Sequence, residues 1–244
     1  MLASCAIRAG DSRGSALLGL DVHLPQELLH ETMHGLRSDP MSPARRTILL
    51  ATCAVFGVSA FAFAGNQDIV AAARAQVGVT VYYDPGYRKL AYPGGDVPID
   101  RGVCTDVIVR ALRGARAIDL QRKVHEDLVA HWDAYPHQRR WGLSKPDASI
   151  DHRRVPNLMT YFRRAGYAVP MSGAAADYLP GDIVAWDLGR GILHIGIVAG
   201  GASVASVAGT PLVVHNIGAG VREEDILFRY TIIAHYRLPG LREP

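Results

Sequence analysis

The hydrophobic pattern of this chain changes once, near residue 165, from the period of a helix to the period of a strand. Before that point apolar side chains recur at helical spacing, as at Ile108, Ala111 and Leu112. After it, four short runs rich in β-branched residues cover residues 182–186, 194–198, 212–217 and 231–236. Helices followed by closely spaced strands predict an α+β fold, with helices packed on an antiparallel sheet.

Length and composition limit the classes of protein. The 244 residues suit one main domain, and 49% hydrophobic with 20% charged residues is typical of a globular protein. The net charge of +3 is spread along the chain, and only three lysines lie beyond residue 64. A nucleic-acid partner is therefore not expected, because binding would require clustered basic residues.

The first 64 residues do not resemble the rest of the domain. Residues 1–40 show no clear amphipathic period, and we interpret them as an upstream extension outside the fold. From Met41, a short basic head and an apolar stretch end in Ala-Phe-Ala before Gly65, which is the pattern of a secretory signal peptide over residues 41–64. This interpretation predicts an exported, periplasmic protein with a mature domain at residues 65–244.

An uncleaved membrane anchor is the alternative for the same segment. The stretch from Thr47 to Gly65 carries no charge and is nearly long enough to span a bilayer. We therefore expect contact with a membrane only if this segment stays attached.

The cysteines direct attention to one position. Of Cys5, Cys53 and Cys104, cleavage after Ala64 leaves only Cys104, which then is either a buried inert thiol or a working one. The string Gly-Val-Cys-Thr-Asp places Cys104 in the first turn of a predicted helix. A helix N-terminus stabilises a thiolate and offers a backbone N–H to an oxyanion, so we expect a nucleophile with a lowered pKa. Asp106 suits the helix start but opposes a nearby thiolate, so its side chain should point away.

A base for that thiol is sought among the histidines of the strands. His194 opens an apolar strand, where a polar side chain can face a cleft at the end of the sheet; a purely structural histidine is the alternative. A third residue is needed to orient the base. His215 and Asn216 are the candidates, and only one can face His194 because successive strand residues point in opposite directions.

The sequence gives little support for a metal site or a nucleotide-binding site. His125 and His131 lie on one predicted helix, but they are six residues apart, whereas a zinc pair on one helix face needs four. No Gly-rich phosphate loop follows a strand. We therefore expect no metal and no cofactor.

The order of these motifs resembles the NlpC-type branch of the papain-like cysteine peptidases. The resemblance rests on a helix-borne Cys104, a strand led by Gly-Asp, His194 followed by Ile-Gly-Ile, and a strand ending in His215. It implies a papain-like fold and a triad of Cys104 as nucleophile, His194 as base and His215 as third member, mostly used on peptide bonds of the bacterial cell wall. It also implies an assisting tyrosine near the oxyanion site, for which we choose Tyr83 over Tyr82.

A more specific resemblance covers nearly the whole mature chain. The sequence is similar to the bacterial family called domain of unknown function 1287, whose name implies no proven activity. The matching strings are at residues 83–85, 92–98, 102–106, 150–158 and 215–220. The chain departs from the NlpC pattern in having Val103 before the cysteine and a longer insert before His194, and the insert concerns the substrate more than the chemistry.

Several polar residues are candidate substrate contacts. Arg153 and Arg154, in the string Asp-His-Arg-Arg, either form an ion-paired helix start or clamp a substrate carboxylate. Asp96 is either a turn residue or a contact, and Asp106 is a further candidate. Residues 222–225 are expected to form a solvated loop, with bordering the cleft as the alternative.

The leading hypothesis is a cysteine hydrolase, an amidase or peptidase that acts through a thioester on peptides or peptidoglycan fragments. An acyl or amide transferase could use the same triad with an amine as acceptor. A non-catalytic binding module on this fold is the hypothesis from outside the enzymes, and it predicts an ordinary, slow thiol.

Overall fold

The computed structural model describes residues 66–136, 142, 144–202 and 209–240. The interpretations of residues 1–40 and 41–64 as an extension and a signal peptide therefore lie outside the described residues. Within the described ranges, none of the helices combines the length and apolar character needed to cross a membrane.

Four α-helices are present in the described part of the chain. They are α1 (residues 66–74), α2 (Cys104–Arg116), α3 (Leu120–Ala130) and α4 (Val155–Arg164). The side chain of Asp119 caps α3 by accepting hydrogen bonds from the N–H groups of Gln121 and Arg122. Pro156 lies in the first turn of α4, where its missing N–H costs nothing.

Within the described ranges, seven strands form two sheets. They are β1 (Tyr82–Tyr83), β2 (Arg101–Gly102), β3 (Ile183–Asp187), β4 (Leu193–Ala202), β5 (Pro211–Asn216), β6 (Val221–Glu224) and β7 (Thr231–Tyr236). The last five form one antiparallel sheet in the order β6-β5-β4-β3-β7. The first two form a small parallel pair in which Tyr83 lies opposite Gly102.

The mixed class and the antiparallel sheet predicted from the sequence are confirmed. Two details differ. Strand β4 extends to Ala202, beyond the predicted end at residue 198. Residues 222–225, expected to be a solvated loop, supply most of strand β6, because the Gly-rich turn after Asn216 folds the chain back onto β5.

The sheet buries apolar side chains on both faces. On one face, Ile195 and Ile197 of β4 belong to the same core as Ile108 and Leu112 of α2. On the other face, Trp186 belongs to a smaller core that also contains Tyr178, Val184, Val198, Val213, Ile226 and Leu227. Because successive strand residues alternate between faces, His194 lies on the face of Trp186 and Ile195 on the face of the helices.

Regular pairing between β4 and β5 stops before the site. Backbone pairing between them ends at Ile197 and Val214, although β4 begins at Leu193 and β5 runs to Asn216. The chain that leads into α2 lies beside the end of β5, since the side-chain amide of Asn216 donates to the carbonyl oxygen of Gly102 at 3.1 Å. The start of α2 is thereby held beside this end of the sheet.

Candidate active site

Cys104 is the first residue of α2 and is buried, with 5% of its surface exposed. Backbone N–H groups of Ile195 and Thr105 donate to its sulfur. The first contact places the sulfur beside the backbone of β4, one residue beyond His194. A thiol in this position is surrounded by donors that favour its charged form.

The pKa of the Cys104 thiol is nevertheless raised to about 12. Burial is the largest cause, and it outweighs the hydrogen bond from Ile195; the negative charge of Asp106 raises the pKa further. The expected lowering of the pKa is therefore not found in this conformation. Removing water from the sulfur destabilises the thiolate by more than the helix N-terminus stabilises it.

Asp106 and Arg153 form a buried ion pair below the cysteine. The guanidinium donates to both carboxylate oxygens of Asp106, each at 2.9 Å, and both side chains are almost fully buried. Asp106 also accepts the N–H of Val103 at 2.7 Å, which fixes the residue before the nucleophile. Arg153 further donates to the carbonyl oxygens of Asp84 and Gly86. These contacts use two of the four candidate substrate-binding residues to hold the residue before the cysteine and the loop after β1.

Tyr83 stands near the cysteine on strand β1. Its pKa is raised to about 12 by burial and by the neighbouring Cys104 and Asp106, so its hydroxyl keeps its proton at neutral pH. About 40% of the residue is exposed, whereas 59% of Tyr82 is exposed. A protonated hydroxyl is able to donate a hydrogen bond to an oxygen bound beside the sulfur.

A cavity of about 200 Å³ opens at the cysteine. Its lining consists of Tyr83, Pro85, Val103, Cys104, Ile150, Arg153, Val155 and Leu193. Of the four candidate contacts only Arg153 is in this lining, and Asp96, Asp106 and Arg154 lie outside it. Asp96 accepts two hydrogen bonds from Arg110, at 2.9 and 3.0 Å, and serves the loop before β2. Arg154 precedes α4, and its pKa is lowered by burial.

His194 and His215 contact each other beyond the last regular backbone pair of β4 and β5. Nε2 of His194 lies 3.1 Å from Nδ1 of His215, and the two rings are buried and nearly perpendicular. Nε2 of His215 lies 3.0 Å from a carboxylate oxygen of Glu224. The ring of Trp186 stacks on His194 with 5.8 Å between centroids. The structure thus forms a chain of side chains from Glu224 through His215 to His194.

Burial keeps both imidazoles neutral. It lowers the pKa of His194 to about 3, with a smaller contribution from His215. It also lowers the pKa of His215, although the carboxylate of Glu224 acts in the opposite direction. A neutral imidazole has one nitrogen free to accept a proton, which is the form that a general base requires.

His215, and not Asn216, is the residue that contacts His194. Asn216 faces the helices, where its amide holds Gly102 and its oxygen accepts the N–H of Gly218 at 3.3 Å. Within the described ranges, no hydrogen bond joins the sulfur of Cys104 to the ring of His194. The sulfur lies beside the N–H of Ile195, whereas the ring of His194 lies on the sheet face of Trp186, so the contact that the sequence predicts is not closed.

The sequence predicts a loop where β6 forms, so it does not identify Glu224 as a partner of His215. The turn at residues 217–220 ends one strand and starts another, so the partner of His215 on the next strand is Arg222. A residue two positions further along lies on the same face. A hairpin interpretation of the Gly-rich turn would therefore have placed Glu224 beside His215.

His125 of α3 and His131, the residue that follows this helix, have carboxylate and carbonyl partners. Nδ1 of His125 lies 2.8 Å from Asp151, and Nδ1 of His131 lies 3.0 Å from the carbonyl oxygen of Asp127. In the part of the chain that the structure describes, no group of three or more potential ligands could hold a metal ion.

Comparison with known proteins gives one family and one relative. The family described as Domain of unknown function (DUF1287) matches residues 70–238. The chain is 52% identical over 172 residues to the uncharacterized protein YijF of Escherichia coli (strain K12), an alignment covering 70% of this chain and 81% of that protein. The family match, over residues 70–238, includes all the residues of the site.

Proposed function

Since the chain belongs to the family described as Domain of unknown function (DUF1287), we propose a function from its site: it is a cysteine hydrolase of papain-like, NlpC-type fold that cleaves an amide bond through a thioester on Cys104. One observation carries the proposal. The sulfur lies at a helix N-terminus and at the mouth of a cavity, beside the N–H of the residue that follows a neutral, hydrogen-bonded histidine.

The proton of the thiol goes to His194. Nε2 of that ring is engaged with His215, so Nδ1 is the nitrogen left to serve as base. Contacts between nucleophile and base are often long in unliganded enzymes and tighten in the substrate complex. Transfer of the proton breaks the S–H bond and forms N–H, and it relieves the cost of burying an isolated thiolate, because an imidazolium then stands beside it.

The thiolate attacks the carbonyl carbon of the scissile amide. The backbone N–H of Cys104 and the hydroxyl of Tyr83 hold the oxyanion, since both residues line the cavity. The imidazolium returns its proton to the leaving amine as the C–N bond breaks. Water then hydrolyses the thioester with His194 again as base, and the enzyme is restored.

The cavity favours a peptide as substrate. Four of its lining residues, Val103, Ile150, Val155 and Leu193, are aliphatic and suit one small side chain beside the scissile bond. We place the substrate among cell-wall peptides, in line with export to the periplasm by the segment at residues 41–64. The intact mass of the protein recovered from the periplasm tests the export: a form that starts at Gly65 supports it, and a form that retains residues 47–64 contradicts it.

Incubation with purified muropeptides tests the activity. Product masses should show cleavage with the gain of one water, and Cys104→Ala should abolish it while leaving the circular dichroism spectrum unchanged. A product that carries an added amine instead of water would convert the proposal to a transferase. Unchanged muropeptides with the wild-type protein, or equal cleavage by Cys104→Ala, would contradict the proposal.

A binding module is the second candidate, and one observation favours it. The thiol is neutral and buried in this conformation, without a hydrogen bond to His194 among the described residues. On this hypothesis the cavity binds a peptide and no bond is cleaved. Muropeptide binding in calorimetry that persists in Cys104→Ala, together with an absence of products, would support the module over the hydrolase.

A further inference from the structure

Three side chains form an unbroken line along one face of the sheet. A carboxylate oxygen of Glu224 lies 3.0 Å from Nε2 of His215. Nδ1 of His215 in turn lies 3.1 Å from Nε2 of His194. The two histidines are buried, whereas 38% of the side chain of Glu224 is exposed. The line therefore runs from solvent to the candidate base.

Hydrogen-bond chemistry fixes where each proton sits on this line. An ionised carboxylate only accepts, so Nε2 of His215 must carry a hydrogen. A neutral imidazole carries one hydrogen, so Nδ1 of His215 has a lone pair and accepts from Nε2 of His194. Nδ1 of His194 is then left without a hydrogen. Burial, which lowers the pKa of both rings, keeps them in this neutral form.

We propose that Glu224 is a positioning residue that selects these tautomers through His215 and so leaves Nδ1 of His194 free to accept the thiol proton; the catalytic consequence rests on the proposed function. Without the carboxylate, the reverse arrangement satisfies the same two rings. His215 would then donate from Nδ1, His194 would accept at Nε2, and Nδ1 of His194 would carry a hydrogen. A base in that tautomer is unable to take a proton from Cys104.

The neighbouring residue supplies a matched control. Glu223 is next to Glu224 on β6, but its side chain points to the opposite face and pairs with Arg74 at 2.6 Å. Glu224→Gln supplies a second comparison, because the amide oxygen still accepts from Nε2 of His215 while the charge is lost. Glu224→Ala removes both charge and acceptor.

Nitrogen-15 NMR of the histidine rings tests the proposal in the full-length protein. In the wild type, Nε2 of both His194 and His215 should show the shift of a protonated nitrogen and Nδ1 that of an unprotonated one. Glu224→Gln and Glu223→Gln should keep this pattern. Glu224→Ala should add a population with protonated Nδ1 on His194, and muropeptide cleavage should fall about tenfold, as expected when a general base is partly in the wrong form.

The NMR pattern separates this inference from the proposed function. A wild-type protein with protonated Nδ1 on either ring, or a Glu224→Ala protein with the unchanged wild-type pattern, overturns the role of Glu224 whether or not cleavage occurs. The expected tautomers with no cleavage of muropeptides uphold the role of Glu224 and contradict the hydrolase instead. A wild-type spectrum with protonated Nδ1 on either ring is enough to overturn the role of Glu224. The inference can therefore be contradicted even if a variant fails to fold.

Discussion

The imidazole nitrogens of His194 and His215 lie 3.1 Å apart at a place where the backbones of their strands no longer pair. Backbone pairing of β4 with β5 ends at Ile197 and Val214, so the contact between the side chains lies beyond the last regular pair. The chain that leads into α2 contacts the same end of β5, through Asn216 and Gly102. The end of regular pairing therefore lies beside both the histidine contact and the segment that precedes Cys104.

The reactivity of the thiol should follow its raised pKa. Burial raises the pKa of Cys104 to about 12, so alkylation by iodoacetamide should be slower than that of free cysteine at pH 8 and still rise above pH 9. Peptide mapping by mass spectrometry distinguishes Cys104 from Cys5 and Cys53. The urea-unfolded protein should show the ordinary thiol profile and is the control. A rate that levels off below pH 8 in the folded protein would mean that a thiolate–imidazolium pair forms without substrate.

Tyr83 and Tyr82 form a matched pair for the oxyanion site. Tyr83→Phe removes the hydroxyl beside Cys104 and should lower turnover about 10-fold to 100-fold, since lost oxyanion donors act on the transition state. Tyr82→Phe should leave turnover unchanged, because that ring is the more exposed of the two and lines no part of the cavity. Steady-state kinetics on muropeptides give the values. Equal losses in both variants would show that β1 acts only as a scaffold.

Much of this architecture follows from the sequence, because it depends on local pattern. The change of period near residue 165 gives the helices and the sheet, and strand alternation with the family resemblance gives His215 as the residue facing His194. The pKa of Cys104 could not be predicted in this way. Its helix N-terminus is visible in the sequence, but the loss of water around the sulfur depends on how β4 packs against it.

The role of Arg153 was likewise beyond sequence reasoning. A pair of arginines before a helix is compatible with a substrate clamp, and only the fold shows that Arg153 reaches Asp106, 47 residues earlier in the chain. Glu224 was missed for a different reason, since a charged run after glycines is typical of a loop. In both cases the decisive contact joins elements that are far apart in sequence or whose pairing was not anticipated.

The ion pair between Asp106 and Arg153 should be essential to the fold around the cysteine. Arg153→Ala leaves a buried carboxylate without its partner and should lower the free energy of unfolding by about 3–5 kcal/mol. Arg101→Ala breaks a more exposed pair with Asp100 and should change the free energy of unfolding little. Urea denaturation followed by circular dichroism measures both. Similar losses in the two variants would contradict the distinction between buried and exposed pairs.

His152 should make the stability of the protein depend on pH between 7 and 5. Burial lowers its pKa to about 4, and its Nδ1 is buried without a hydrogen-bond partner in the described structure. Below pH 6.5 His152 binds a proton in the unfolded chain but not in the folded chain. The free energy of unfolding therefore falls as the pH is lowered towards the pKa of the folded state. For one such histidine the loss between pH 7 and pH 5 is about 2 kcal/mol.

His152→Gln removes this titration, so the difference in the free energy of unfolding between the two pH values should shrink by that amount, whatever the substitution does to stability at pH 7. Urea titrations of both proteins at both pH values decide it, and an unchanged difference would mean that the His152 ring becomes protonated without unfolding.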